Sequence, residues 1–390
     1  MTDLNSTAKN STANNVPIAE ERLSPLHQKH LDAGASFTDF AGWQMPVRYS
    51  SDLAEHHAIR TAAGLFDLSH MAEITVYGPG AAAALDHALA GKISAIAVGQ
   101  AKYSLLLAPE GGIVDDVVVY RTENERFVVV ANASNRQSAA AALTARAREF
   151  DATVVDESDS VALIAVQGPV ALSVVEAVVE LELPVAVGDL KYYWSATGTY
   201  RGERIMIGRT GYTGEDGFEL YLHVAFAADL WDDLMAAGAG IGLVPAGLAS
   251  RDTLRLEAGM PLYGHELSLT TLPVQAGLGR VVNFTKKDNF VGRAAVETAP
   301  VEGARVLVGL RGEGKRAGRA DYSVVTEDGT VVGVITSGAL SPTLGYPIAM
   351  AYVDQTVSEI GTPLFMDVRG SRVAASVIAL PFYQRGQSNG

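Results

Sequence analysis

The 390-residue sequence predicts an α+β protein of several domains, in which two units of antiparallel sheet and helices precede a C-terminal β-barrel. Three strand-like runs between residues 101 and 132 are separated by turn residues, a pattern typical of an antiparallel meander. A second series of strands and helices begins at residue 161. Residues 304–382 form short alternating runs with turn signals, which indicate a small all-β domain or barrel. A chain of this length has room for two or three such domains.

The elements of the first unit are predicted from hydrophobic pattern and from the glycine and proline residues that separate them. The predicted helices are 26–31, 53–61, 81–90 and 134–150. The predicted strands are 74–77, 101–107, the run that follows Gly111-Gly112, and 126–132. Ser134 is predicted to be the N-cap of the last helix.

The second unit is predicted to begin with a buried strand, and a composition change marks its end. Its predicted strands are 161–166, part of 199–209, and 218–223. Its predicted helices run from about 170 to 179, from 225 to 237, and from 245 to 258, the last with Pro245 in its first turn. The polar stretch 285–302 is interpreted as a linker to the barrel.

Composition excludes several classes of function. Hydrophobic residues make up 48% and charged residues 19% of the chain, as in ordinary globular proteins. The net charge of −14 disfavours nucleic acid or an anionic membrane as the main partner, although a small anionic ligand in a local basic pocket stays possible. The chain has no cysteine, so disulfides, thiolate metal sites and cysteine nucleophiles are excluded.

The N-terminal residues 1–20 are rich in Asn, Ser and Thr and lack the basic start and apolar centre of a signal peptide. They are also too poor in arginine for an organelle transit peptide. No apolar run approaches the ~20 residues that a membrane span needs. We therefore expect a disordered tail on a cytoplasmic protein that does not bind membranes.

Residues 111–120, Gly-Gly-Ile-Val-Asp-Asp-Val-Val-Val-Tyr, place two adjacent carboxylates in an apolar, β-branched strand. Because successive side chains of a strand point to opposite faces, Asp116 shares a face with Val118 and Tyr120, and Asp115 does not. A face with an acid, a small apolar residue and a phenol suits a cavity for a flat polar ligand. The alternative, that an aspartate caps the Gly-Gly turn, explains one of the two better than both. The two aspartates are therefore predicted to serve different sites.

Residues 208–220 contain a second pattern, in which glycine recurs at every third position. The segment has neither G-x-G-x-x-G nor G-K-[ST], so it is not a dinucleotide fingerprint or a phosphate loop. The strand that follows directs Glu219 and Tyr221 to one face and Phe218 and Leu220 to the other. If the apolar face is core, Glu219 points toward a cleft, where a carboxylate accepts two parallel N–H bonds from a planar ligand edge. The spacing alone favours the alternative, a surface hairpin with an exposed glutamate.

The helix predicted over residues 245–258 places Leu248, Arg251 and Arg255 on one side. An arginine on a partly apolar face is either a clamp for a ligand carboxylate or half of an internal ion pair, for which Asp252 and Glu257 are candidates. Ion pairing is the more common of the two.

The histidines give little functional signal. Those at 56, 57, 70 and 265 lack the spacing of zinc ligands, and no metal site is predicted. His70 follows Asp67 and Ser69, but no G-x-S-x-G motif supports a catalytic triad. A structural role is therefore expected for His70.

Together these segments resemble the glycine cleavage T-protein family of aminomethyltransferases, over nearly the whole chain from about residue 23 to residue 385. The segments that carry the resemblance are FAGW (40–43), GLFDLSHM (64–71), GGIVDD (111–116), GYTGEDGFE (211–219), RDTLRLEAG (251–259), TSG (336–338) and PFY (381–383). Motifs in this order form a highly specific signal, although each alone is weak.

The resemblance implies three domains arranged as a ring around tetrahydrofolate, a co-substrate. The folate-binding region is expected at 21–292 and the barrel domain at 303–385. The implied substrate is an aminomethyl group on the lipoyl arm of the partner H-protein. The implied products are methylene-tetrahydrofolate, ammonia and the dihydrolipoyl partner.

The resemblance also implies residue roles. Asp116 matches the key acid beside the reactive nitrogens of folate, Glu219 the residue that holds the pterin edge, and Arg251 a substrate-binding arginine. Five further positions match residues that line the pocket: Tyr103, Tyr120, Asn132, Tyr193 and Tyr212. Two more, Tyr383 and Arg385, lie where the C-terminal contacts of the family fall.

Two other functions are compatible with the sequence: a folate-dependent demethylase of the same superfamily and a folate-binding protein without turnover. Oxidases of the superfamily carry a flavin domain with a dinucleotide fingerprint, which this chain lacks. A set of basic residues is predicted either to dock an acidic partner or to be ordinary solvated charges: Lys286, Lys287, Lys315, Arg316 and Arg319.

Overall fold

The computed structural model describes residues 21–286, 289–298 and 303–386. The predicted tail, 1–20, lies outside the described residues. Within the described ranges the chain forms three open sheets, a closed barrel and eight α-helices. None of the helices in these ranges is long and apolar enough to cross a bilayer.

The elements are numbered in chain order. The helices are α1 (His27–Asp32), α2 (Asp52–Thr61), α3 (Ala81–Ala88), α4 (Arg136–Ala147), α5 (Ala171–Glu176), α6 (Ala227–Gly238), α7 (Leu248–Glu257) and α8 (Arg293–Thr298). The strands are β1 (Arg22–Leu23), β2 (Ser36–Phe40), β3 (Trp43–Arg48), β4 (Ala63–Asp67), β5 (Ala72–Tyr77), β6 (Ala101–Leu107), β7 (Ile113–Glu123), β8 (Arg126–Ala131), β9 (Thr153–Asp156), β10 (Val161–Gln167), β11 (Leu181–Glu182), β12 (Ser195–Tyr200), β13 (Glu203–Gly208), β14 (Gly217–His223), β15 (Leu243–Pro245), β16 (Arg305–Gly312), β17 (Ser323–Val325), β18 (Val331–Leu340), β19 (Pro347–Asp354), β20 (Pro363–Val368) and β21 (Ser371–Ile378).

The two larger sheets are interleaved in sequence. One has the strand order β6-β7-β8-β5-β9, and the other β11-β12-β13-β14-β10-β4-β15. The consecutive strands β4 and β5 enter different sheets, so the chain crosses between the units after residue 67. Within these two sheets, every strand pair of the described residues is antiparallel except β15 with β4. The predicted meander β6-β7-β8 and the predicted α+β class are confirmed.

The central strand β10 explains how the two sheets come together. It is apolar on both faces, as expected of a strand covered on both sides. Ile164 and Val166 belong to a core that α5 and α6 cover, whereas Leu163 and Ala165 belong to a core on the other face. That second core includes Tyr120 from the five-stranded sheet. The sheets therefore face each other across shared apolar contacts.

The C-terminal region forms the predicted closed barrel, with the strand order β16-β19-β18-β17-β20-β21. Because the barrel is closed, each strand has a neighbour on both sides, and no edge strand exposes a row of unpaired backbone N–H and C=O groups. Inward-facing apolar side chains such as Leu310, Ile335 and Met366 fill its interior and are at most 1% exposed.

A buried set of charges, here called the interdomain cluster, joins the barrel to the rest of the chain. Its members are Arg60, Glu215, Glu257, Thr343 and Tyr383. Arg60 donates to Glu257 Oε2 at 2.8 Å and to Glu215 Oε1 at 2.9 Å, and its guanidinium stacks 3.9 Å from the Tyr383 ring centroid. Thr343, on the barrel, donates to Glu257 Oε2 at 2.7 Å. Every charge in the cluster therefore has an opposite charge as a direct partner.

Two sequence predictions of local structure are wrong. Ser134 is not an N-cap, because residues 133–135 form a 3-10 turn and α4 begins at Arg136. Pro245 ends the edge strand β15, where a missing N–H is tolerated, and α7 begins at Leu248. The predicted linker, 285–302, stays a prediction, and its described part contains the short helix α8 and the buried Phe290.

Candidate functional site

A cavity of about 310 Å³ lies between the two facing sheets. Strand β7 contributes Asp116, strand β14 contributes Glu219 and Tyr221, and helix α7 contributes Arg251. Four other residues predicted for the site also line the cavity: Tyr103, Asn132, Tyr193 and Tyr212. Asp116 and Glu219, which strand alternation directed toward a cavity and a cleft, therefore line the same cavity. The alternative for Glu219, an exposed position on a surface hairpin, is wrong.

Asp116 is fixed at the cavity wall by two neutral donors. Tyr103 donates its hydroxyl to Asp116 Oδ2 at 3.0 Å, and Asn132 donates its side-chain amide to Oδ1 at 2.8 Å. Burial raises the pKa of Asp116, although both hydrogen bonds oppose the rise. No cation pairs with this carboxylate among the described residues. The group is thus held in place and is a stronger proton acceptor than an exposed aspartate.

Asp115 lies on the opposite face of β7, as predicted, and is fully buried. It nevertheless reaches the cavity wall indirectly, because Asn132 donates its side-chain amide to Asp115 Oδ1 at 2.7 Å as well as to Asp116. Asn135 donates to the same Oδ1 at 2.8 Å. Of the two aspartates, only Asp116 lines the cavity, and Asn132 links the two. Strand β8 ends at Ala131, and the chain turns there so that one amide lies between both carboxylates.

Glu219 has one oxygen committed to the protein and one facing the cavity. Three hydroxyls donate to Oε2: Thr210 at 2.6 Å, Tyr120 at 3.1 Å and Tyr221 at 3.1 Å. No described residue donates to Oε1. The carboxylate is held in one orientation, and its free oxygen is available to an N–H donor of a ligand.

The two arginines of α7 have different environments. Arg255 is 1% exposed and donates to Asp252 at 2.7 Å and to Glu266 at 3.1 Å. Arg251 lines the cavity and has no carboxylate within ion-pairing distance among the described residues. Its guanidinium lies 4.5 Å from the Tyr212 ring centroid, and burial lowers its pKa. Ion pairing, which the sequence favoured for these arginines, holds for Arg255 and is wrong for Arg251.

The tyrosines of the cavity wall are neutral donors. Burial raises the pKa values of Tyr103, Tyr193 and Tyr212. Tyr212 donates its hydroxyl to the carbonyl of Pro261, which fixes the ring beside Arg251. Tyr193 has a positive φ of 63°, an uncommon conformation for a non-glycine residue that turns the chain before β12. These residues supply flat apolar surface at fixed positions.

Three residues predicted for the site do not line the cavity in the described structure. Tyr120 is fully buried and supports Glu219 from behind. Tyr383 belongs to the interdomain cluster and donates to Glu215 at 2.7 Å. Arg385 is exposed and pairs with Asp216 at 3.4 Å. The predicted pocket-lining position of Tyr120 is therefore wrong, and the predicted C-terminal folate contacts of Tyr383 and Arg385 stay predictions.

Several residues that line the cavity were not predicted from the sequence. His70 lines the cavity, although a structural role was expected for it. Thr210 and Tyr221 also line it and hold Glu219. Strand alternation had placed Tyr221 beside Glu219, so that signal was available.

Lys286 is not a docking residue, because it is buried and donates to the carbonyl of Asp86 near the C-terminus of α3 at 2.7 Å. Lys287 lies outside the described residues.

Comparison with known proteins identifies the class to which this fold and cavity belong. The model of the GCVT N-terminal domain matches residues 26–286, and the model of the glycine cleavage T-protein C-terminal barrel domain matches residues 305–384. The chain therefore belongs to the glycine cleavage T-protein family.

Individual relatives agree over almost their full lengths. The chain is 59% identical to the aminomethyltransferase of Cutibacterium acnes, over 93% of this chain and 99% of the relative. It is 54% identical to the aminomethyltransferase of Streptomyces avermitilis, over 93% and 98%. The crystal structure of glycine cleavage system aminomethyltransferase T from Bartonella henselae superposes with a TM-score of 0.86 at 36% identity, over 94% of this chain and 99% of that structure. The chain is an aminomethyltransferase.

Proposed function

We propose that the chain transfers the methylene carbon of an aminomethyl group, carried on the dihydrolipoyl arm of H-protein, to tetrahydrofolate. Ammonia leaves in this reaction, and the reduced lipoyl thiol is released. The observation that carries the proposal is the single cavity into which Asp116, the free oxygen of Glu219 and the unpaired Arg251 all project. We further propose that the reaction takes place in the cytoplasm.

Glu219 and Arg251 suit recognition of tetrahydrofolate. A pterin has a flat edge with adjacent N–H donors, which matches a carboxylate whose second oxygen is already fixed. Arg251 suits an oxygen acceptor of the same ligand, because a guanidinium has donors and no acceptor. The rings of Tyr193 and Tyr212 offer flat surfaces against which a conjugated ring packs.

Asp116 is assigned the role of orienting the nucleophilic amine of folate and accepting or returning its proton. The amine attacks the methylene carbon as the carbon–nitrogen bond to ammonia breaks. A second folate amine then attacks the same carbon as the carbon–sulfur bond breaks, which leaves the methylene group between two folate nitrogens and the sulfur as the dihydrolipoyl thiol. A raised pKa suits Asp116 to this task, since proton transfer is most effective when the pKa lies closer to the working pH. Most of the rate enhancement comes from holding the two reactants together, which contributes roughly 7–11 kcal/mol in favourable cases.

The test is formation of methylene-tetrahydrofolate from tetrahydrofolate and H-protein loaded with an aminomethyl group. We expect stoichiometric formation of ammonia and methylene-tetrahydrofolate, dependent on the loaded H-protein. Product formation from a methylated amine without H-protein would instead identify a demethylase. Binding of tetrahydrofolate without any product would identify a folate-binding protein and refute the proposed transfer.

A further inference from the structure

We propose that His70 is a specificity residue of the cavity, which donates an uncharged hydrogen bond to the carbonyl oxygen of the pteridine ring. The inference rests on the proposed function, because it assumes that tetrahydrofolate is the ligand. Arg251 and the imidazole N–H of His70 would together form the binding site for that oxygen. The free oxygen of Glu219 would accept hydrogen bonds from the N–H groups beside the same carbonyl.

The environment of His70 is unusual for a buried polar side chain. The residue is 2% exposed and lines the cavity, and no described residue makes a hydrogen bond to either ring nitrogen. Its Nδ1 is fully enclosed and unpartnered. Leaving a buried polar group unpaired costs about 1–3 kcal/mol, and nothing in the described protein compensates for it. The other nitrogen, Nε2, also has no partner among the described residues, so a ligand in the cavity is the partner available to it.

The tautomer follows from the two environments of the ring. Orphaned buried N–H groups are rarer than under-satisfied acceptors, so we assign the enclosed Nδ1 as the lone-pair acceptor and Nε2 as the N–H donor. Phe40 packs edge-on against the imidazole, with ring centroids 5.2 Å apart and an interplanar angle of 80°, which restricts its rotation.

His70 is neutral at the pH of any ordinary assay. Burial and the nearby charge of Arg251 lower its pKa to about 4, although Asp67 opposes this. A neutral imidazole keeps one donor, whereas an imidazolium beside a guanidinium would add like-charge repulsion. The site therefore presents one charged and one uncharged donor, an arrangement that accepts a carbonyl oxygen and rejects an amino group.

The test compares tetrahydrofolate with a reduced 2,4-diaminopteridine analogue, in which an amino group replaces the carbonyl. Isothermal titration measures Kd for both ligands with the parent, His70→Leu and His70→Gln proteins. We expect His70→Leu to raise the Kd of tetrahydrofolate about tenfold and to change that of the analogue by less than about twofold. His70→Gln, whose amide also donates, should restore most of the discrimination.

The matched control is His27, whose Nδ1 is likewise enclosed and unpartnered but which packs against Phe37 away from the cavity. His27→Leu should leave both Kd values unchanged, and thermal unfolding reports whether each variant is folded. Equal weakening of both ligands by His70→Leu, or no weakening of either in both His70 variants, would overturn the inference. If the parent protein does not bind tetrahydrofolate, the proposed function itself fails.

Discussion

Two groups of partly or fully buried ionisable side chains, the interdomain cluster and the cavity, differ in how their charges are paired. In the interdomain cluster, Arg60 binds Glu215 and Glu257 directly. In the cavity, Asp116 has only neutral donors and Arg251 has no carboxylate partner among the described residues. Unpaired buried charges are costly to a folded protein. The difference indicates that the first group stabilises the fold and that the second is kept for a ligand.

The largest expected effect separates Asp116 from its neighbour Asp115. Asp116→Asn should lower turnover about 10²–10⁴-fold while tetrahydrofolate still binds, because the variant keeps the shape and loses the proton acceptor. Asp115→Asn should mainly lower stability, because Asp115 accepts hydrogen bonds from Asn132 and Asn135. Turnover number, Kd for folate and thermal unfolding distinguish the two. Equal activity of Asp116→Asn and the parent would contradict this role.

The two arginines of α7 give a matched test of pairing against function. Arg255→Met should lower the free energy of unfolding by about 3–5 kcal/mol, because it leaves the fully buried Glu266 without its cation. Arg251→Met should change stability little and should raise the Kd for folate roughly 10–150-fold. This factor corresponds to the loss of one hydrogen bond from a charged donor. Denaturant titration and isothermal titration measure the two quantities. Similar stability losses in both variants would contradict the distinction between a charge paired within the protein and a charge that faces the cavity.

The free energy of unfolding measured at acidic pH tests the interdomain cluster. Burial opposes ionisation of Glu257, but the hydrogen bond from His56 and the charge of Arg60 lower its pKa to about 2. The unfolded value is about 4.5, so the stabilisation is present above pH 4.5 and is lost as the pH falls toward 2. This difference corresponds to about 3 kcal/mol.

Glu257→Gln should therefore destabilise the protein at pH 7, and the difference from the parent should shrink below pH 4.5. Asp354→Asn is the control, because its pair with Arg305 is exposed and exposed pairs contribute under about 1 kcal/mol. Denaturant unfolding at several pH values measures both. A pH-independent difference for Glu257→Gln would show that its charge does not stabilise the fold.

The smallest expected effect concerns Glu73, a third kind of buried group. Glu73 lies on β5 opposite Val130, is 2% exposed, and has no hydrogen-bond partner for either oxygen among the described residues. Burial raises its pKa well above the ordinary value. A carboxyl group whose pKa is raised by folding destabilises the protein progressively as the pH rises above the unfolded value.

Glu73→Met should therefore stabilise the protein by about 1–3 kcal/mol at pH 7 and by less at pH 4. Glu73→Gln should remove the pH dependence but keep the cost of an unpaired polar group. Denaturant unfolding at both pH values measures this. Destabilisation by Glu73→Met would show that Glu73 has a partner and belongs with the paired groups.

Much of the site was predictable from local sequence, because the alternation of a strand is a local property. It directed Asp116 and Val118 to one face of β7, and Glu219 and Tyr221 to one face of β14, and these four side chains line the cavity. Alternation could not predict that Asp115 and Asp116 share Asn132, because that contact depends on where the neighbouring strand ends.

The sequence by itself determined the class of fold, the family and the side of each strand on which the chemistry lies, because these depend on short-range pattern and on motifs in a fixed order. Only the tertiary structure decided which faces meet and which charges find partners. Arg251 and Arg255 lie one helical turn apart, yet Arg251 meets a cavity and Arg255 meets Glu266. Packing of distant segments makes that choice, and neither helical periodicity nor residue type encodes it.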